Sequence, residues 1–76
     1  MEMHPVNSSL ITGIGYDQQD EVLRIQFRGE TFDYYKVPKY IFENLMSSFS
    51  KSRYYASYIK DAYPYLEVVK ERELTY

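Results

Sequence analysis

A chain of 76 residues has room for one small domain, and a fold of that size buries only ~60% of its unfolded surface. With no cysteine and a single histidine, His4, it has neither a disulfide framework nor a cysteine–histidine metal site to lean on. A formal net charge of −2 argues against indiscriminate nucleic-acid binding.

What replaces those staples is aromatic mass. Ten Tyr and four Phe supply large buried areas, and every buried Tyr needs a partner for its hydroxyl. No apolar run approaches the ~18 residues of a membrane span. The polar stretch Met1–Ser9 lacks the basic and apolar regions of a signal peptide. A cysteine-free chain suits a reducing compartment, so a cytoplasmic location is expected. Charge is unevenly distributed: residues 1–33 set Arg24 and Arg28 against six acids, residues 34–60 set five cations against Glu43 alone, and residues 61–76 are again acidic. The helical middle is therefore basic between two acidic ends.

In chain order, residues 1–7 read as a flexible arm, residues 8–69 as the single domain, and residues 70–76 as a charged tail. From Ser8 to Tyr16, aliphatic and β-branched residues are interrupted by Gly13 and Gly15, which predicts an irregular, bulged first strand. Asp17-Gln18-Gln19-Asp20 has turn chemistry. Leu23, Ile25 and Phe27 then alternate with Arg24 and Gln26, the period of a half-buried strand. Gly29-Glu30 is expected to form a type II′ hairpin turn. That turn would set Phe27 opposite Phe32 and Ile25 opposite Tyr34, with all the apolar residues on one face. Val37-Pro38 ends the strand and opens a helix.

From Lys39 to Phe49, the apolar residues Ile41, Phe42, Leu45, Met46 and Phe49 recur at helical spacing. Serines at 47, 48, 50 and 52 loosen the chain before a second predicted helix, Ser52 to Ala62, with Tyr55, Tyr58, Ile59 and Ala62 on its stripe. Pro64 stops it, and 65–69 reads as a short edge strand or an ordered tail. The expected fold is α+β: an antiparallel meander of about three strands, then two helices, with a possible short C-terminal strand.

The order Ser8-Ser9, Ile14-Gly15-Tyr16-Asp17, Leu23-x-Ile25-x-Phe27-x-Gly29-x-x-Phe32-x-Tyr34-x-x-Val37-Pro38, continued by Ser50, Tyr54-Tyr55 and Ile59-Lys60, resembles the KTSC domain across roughly residues 8–63. That family takes its name from the C-terminus of some lysyl-tRNA synthetases and also occurs as small free-standing proteins of bacteria and their phages. The resemblance implies a fold and a genomic habit; it brings no established catalytic residues. This chain departs from it at Ser52, where the family usually has glycine in the turn between the helices, and at Ala56, near which it commonly has asparagine.

Catalysis is not expected. Nucleophilic chemistry needs a base beside the nucleophile, and His4 is the one imidazole, placed on the arm. Asp17, Asp20 and Glu21 lack a calcium-loop spacing and suit a turn better than a cation. Gly13-Ile14-Gly15 lacks the further residues of a phosphate loop. No cofactor, metal or small-molecule substrate is implied.

Two binding surfaces stand out. One is the basic–aromatic segment carrying Lys51, Arg53, Tyr54 and Lys60, a composition that suits single-stranded nucleic acid. The other is the apolar tail with Tyr65, Leu66 and Val68, which suits a protein partner at a strand edge. The preferred expectation is a non-enzymatic binding module for a bacterial protein, possibly of phage or mobile-element origin, with RNA or single-stranded nucleic acid as the alternative ligand.

Overall fold

The computed structural model describes residues 1–69. It is an α+β fold in two layers, one antiparallel sheet with both helices on the same face. Sheet order follows chain order: β1 (Met3–Pro5), β2 (Ile11–Asp17), β3 (Val22–Phe27), β4 (Thr31–Tyr34) and β5 (Tyr65–Glu67). Helices α1 (Lys39–Ser47) and α2 (Lys51–Tyr58) lie in sequence between β4 and β5. The meander β2–β3–β4 is the one legible in the sequence. The tail read as strand or coil is a strand, seated antiparallel on β4. The charged segment 70–76 lies outside the described residues.

The arm expected at 1–7 is not loose. Met3, His4 and Pro5 pair with Gly15, Ile14 and Gly13, so His4 points to the helix side, its ring 6.2 Å from that of Phe42. Gly15 lets this strand approach closely, and Gly13 makes room for Gln26 of the next strand. A Cβ on Gly15 would lie 2.5 Å from Met3 Sδ and 3.0 Å from the Glu2 carbonyl, and one on Gly13 would lie 2.8 Å from Gln26 Oε1. The irregularity expected in β2 is a register shift between Ile11 and Gly13.

The β3–β4 hairpin keeps its predicted faces but not its predicted register. Ile25 stands opposite Phe32 and Leu23 opposite Tyr34, two residues from the expected pairing. The Phe27 N–H donates to the Glu30 carbonyl (2.8 Å), which centres the turn on Arg28-Gly29. No described glycine has positive φ, so the type II′ turn is not formed. A slip of two restores the alternation, and the apolar face survives for that reason. On the opposite face Arg24 and Asp33 are direct cross-strand partners joined by a two-pronged pair, Nε to Oδ1 at 2.7 Å and Nη2 to Oδ2 at 2.9 Å. Asp17 organises the preceding turn by accepting the backbone N–H of Gln19 and Asp20 on Oδ1.

The chain leaves β4 through Lys36 at φ 61°, a left-handed conformation that turns Val37 inward. There the Val37 N–H donates to the Glu21 carbonyl (3.0 Å) and its carbonyl accepts the Tyr16 hydroxyl (2.6 Å). Pro38 caps α1, which buries Ile41 and Leu45 one turn apart. The core they enter is formed by Ile11, Ile14, Leu23, Ile25, Tyr34, Val37 and Ile59.

Helix α1 ends at Ser47, short of the expected Phe49. The Ser47 hydroxyl donates to the Glu43 carbonyl, and the Ser48 hydroxyl and N–H both donate to that of Leu45. These bonds replace the next helical turn, leaving Phe49 fully exposed rather than in the core. Helix α2 starts at Lys51 under a Ser50 cap and ends at Tyr58, four residues before the expected Ala62. Its inward side is Ser52, Tyr54, Tyr55 and the following Ile59, while Tyr58 and Ala62 face out. The Ser52 hydroxyl bonds the Ser8 hydroxyl (2.6 Å) and contacts the Ser9 hydroxyl and the Leu10 N–H. Ser52 thus ties the β1–β2 connection to α2.

Replacing Gly15 by Ala should push β1 off the sheet and destabilise the fold by about 1–3 kcal/mol, the usual cost of forcing atoms into an occupied space. Urea unfolding would read the loss, and hydrogen exchange should show the amides of Met3 and His4 deprotected ahead of β2. Unchanged stability together with retained protection would refute the packing of β1 on glycine.

Candidate functional site

Two concave surfaces carry most of the exposed aromatic chemistry, and they lie on different sides of α2. The first is set by the α1–α2 junction. Because α1 stops at Ser47, Phe49 projects from the junction, and the first turns of α2 place Arg53, Tyr54 and Tyr58 beside it around a hollow of about 280 Å3. The Tyr54 and Tyr58 rings are 4.7 Å apart at 39°, spaced i to i+4 along one helix edge. Ser48, Ser50 and Ser57 complete the wall, so among the described residues Arg53 is the only charged group that lines it. Tyr63 sits half-buried nearby, and burial beside Tyr40 and Tyr54 raises its hydroxyl pKa.

The second surface is an aromatic circuit under the other side of α2. Phe27 meets Phe32 (6.0 Å, 69°), Phe32 meets Tyr65 (5.5 Å, 85°), and Tyr65 meets Tyr34 (5.2 Å, 33°). Tyr34 meets Tyr55 (5.8 Å, 78°), and Tyr55 returns to Phe27 (5.3 Å, 68°). Strands β3, β4 and β5 and helix α2 each contribute to this closed ring of contacts, most of them edge-to-face as the ring quadrupoles prefer. All five side chains line a cavity of about 340 Å3, with Leu10, Glu30, Lys60 and Asp61 at its margin. At its floor the Tyr34 and Tyr55 hydroxyls are hydrogen-bonded to each other. Burial raises both pKa values. Desolvation is the main cause at each, and the hydroxyl–hydroxyl bond ties the two ionisations together. Asp61 acts in the same direction on both hydroxyls, and Glu30 on Tyr55.

The sequence-derived residues are distributed over these surfaces rather than gathered in one. Arg53 and Tyr54 share the Phe49 hollow, with Tyr54 half-buried and packed against the core. Lys51 lines an adjoining recess with Ser8, Ser9, Phe49 and Ser50, and its Nζ donates to the Ser48 carbonyl at 3.4 Å. Lys60 belongs to the aromatic circuit. In the tail, Tyr65 joins the circuit, while Leu66 pairs with Asp33 on the opposite sheet face and stays 65% exposed. Val68 is half-buried, its N–H donating to the Thr31 carbonyl at 2.8 Å.

Phe49 and Tyr58 were assigned to the core by helical spacing and instead front the first hollow. The serine pair 47–48 was the available signal, since hydroxyls that compete for helix carbonyls end helices. The circuit could not be assembled from sequence, because it joins residues as far apart as Phe27 and Tyr65. Among the described residues no group of three or more His, Cys, Asp or Glu side chains is placed to hold a metal ion. No helix there is long and apolar enough to cross a membrane.

Comparison with known proteins agrees with this architecture. The family model described as the KTSC domain matches residues 7–63. A protein of Tsukamurella paurometabola is 37% identical over 59 residues, covering 76% of this chain and 88% of its own length. The crystal structure of a KTSC domain protein from Yersinia pestis superposes with a TM-score of 0.87 at 38% identity, over 90% of this chain and 97% of that one.

The raised hydroxyl pKa values fix a pH dependence. A tyrosine that stays protonated in the fold but ionises near ~10 when unfolded stabilises fully below that pH. Its contribution is lost as pH rises from the unfolded value toward the higher folded one. The melting temperature should therefore fall progressively above pH ~10. Ultraviolet titration should show some tyrosines ionising only as the fold is lost. Free ionisation of all ten tyrosines with an intact fold would contradict the buried hydroxyl pair.

Proposed function

The chain belongs to the KTSC domain family, and from that premise we propose that it is a non-enzymatic binding module of the bacterial cytoplasm, encoded by a bacterium or its phage, which engages a protein partner through the Phe49 hollow. The observation that carries the reading is Phe49 itself, fully exposed and fixed beside Arg53, Tyr54 and Tyr58. Aromatic and arginine side chains at the centre of a concave patch are the usual anchors of protein interfaces. Covering a free Phe ring is worth roughly 1.5–3 kcal/mol. Three serines supply neutral hydrogen-bonding rim positions, and Arg53 gives the patch one directional charge.

Single-stranded nucleic acid is the second reading, favoured by Arg53 beside the paired Tyr54 and Tyr58 rings. It is weakened by the placement of Lys60 on the other surface, which leaves Arg53 and the neighbouring Lys51 where a backbone-tracking groove needs several cations.

Phe49→Ala should leave stability within about 0.5 kcal/mol, as expected for an exposed side chain. It should also remove the protein enriched from bacterial lysate by the wild-type bait, with nuclease treatment making no difference. Identical enrichment by both baits would refute the Phe49 surface. Capture that disappears with nuclease, or salt-sensitive oligonucleotide binding lost in Arg53→Ala, would move the assignment to nucleic acid.

A further inference from the structure

We propose that the cavity within the five-ring aromatic circuit is a binding site for an alkylammonium cation. It is a second site, on the other side of α2 from the Phe49 hollow and independent of it. Three features converge on that ligand. Phe27, Phe32, Tyr34, Tyr55 and Tyr65 all line one cavity of about 340 Å3, a volume at the lower end of small-molecule pockets, roughly 300–1,000 Å3. Aromatic faces attract a cation through their quadrupoles, and several rings around one cavity are the arrangement that recognises ammonium groups.

The margin adds charge of the matching sign. Glu30 and Asp61 both line the cavity, and among the described residues neither is engaged in an ion pair. Lys60 is the opposing charge at the same margin. It forms no ion pair with either carboxylate there, so two anions face one cation and the site remains net acidic. The floor completes the chemistry. Because burial and the nearby carboxylates hold the hydroxyls of Tyr34 and Tyr55 protonated well above neutrality, the floor stays neutral and polar. Its oxygens present lone pairs to the cation without adding a charge of their own. An anion would meet two carboxylates at the entrance, and a plain hydrocarbon would gain nothing from them.

The test titrates the full chain with choline and with its uncharged isostere 3,3-dimethylbutan-1-ol, following backbone amide shifts by NMR. Choline should give saturable shifts centred on Phe32, Tyr55 and Tyr65, with the alcohol at least about tenfold weaker, the order of discrimination that one desolvated cation–ring contact supplies. Glu30→Gln with Asp61→Asn should weaken choline while the melting temperature is retained, and Lys60→Gln should strengthen it. Comparing choline with an N-acetyl trimethyllysine amide separates two sources of the same group. Tighter binding of the amide assigns a modified side chain of a protein, and the reverse assigns a free amine. Equal binding of the alcohol, preferential binding of acetate or benzoate, weakening by Lys60→Gln, or no saturable shift with either cation would each overturn the proposal. None of these outcomes depends on Phe49, so failure here and failure of the partner surface are distinguishable.

Discussion

The structure depends on how its second helix is held to the sheet. Helix α1 buries Ile41 and Leu45 and carries its own share of the core. Helix α2 has no fully buried residue between Lys51 and Tyr58. It is retained by Ile59 just past its end, by the Ser52 hydroxyl against Ser8, and above all by Tyr55, whose hydroxyl bonds that of Tyr34 in β4. A small chain without disulfides has little apolar area to spend on a helix of this kind. Large rings supply the area, and their hydroxyls must then satisfy one another. Among the described residues no buried side-chain nitrogen or oxygen is left without a partner, as packing tyrosine hydroxyls around an aliphatic core requires.

The same constraint explains why α2 has a surface on each side. A helix attached through a narrow seam leaves grooves along both flanks. On one flank, early termination of α1 puts Phe49 next to Arg53 and the Tyr54–Tyr58 pair. On the other, Tyr55 closes the ring of aromatics with β3, β4 and β5.

Much of this was legible in the sequence where one short-range rule governed. Alternation at Leu23, Ile25 and Phe27 identified β3 and its buried face. Gly13 and Gly15 marked the irregular strand, and Val37-Pro38 marked the entry to α1. The turn was misplaced because Gly29 suggested a positive-φ turn, whereas the hairpin closes around Arg28-Gly29 without one. The faces survived because the error was an even number of residues. Strand β1 was missed because three residues containing a proline carry no periodic signal. It packs against Gly15 of its neighbour, where a side chain would meet Met3 and the Glu2 carbonyl. Phe49 and Tyr58 fitted a helical repeat, but serine hydroxyls and the Ser50 cap set the helix ends and rotated those rings to the surface. In the basic–aromatic segment the expected roles of two rings are exchanged, Tyr54 packing on the core and Tyr58 facing out, and Lys60 lies on a different flank from Arg53.

The Tyr34–Tyr55 contact fastens α2 to the sheet. A double-mutant cycle on Tyr34→Phe and Tyr55→Phe, read by urea unfolding, isolates it. A mutual hydrogen bond in a largely buried setting predicts a favourable coupling of about 1 kcal/mol, with each single variant leaving one hydroxyl unsatisfied and the double variant recovering part of the loss. Additive losses, with a coupling indistinguishable from zero, would show that α2 is held by something else.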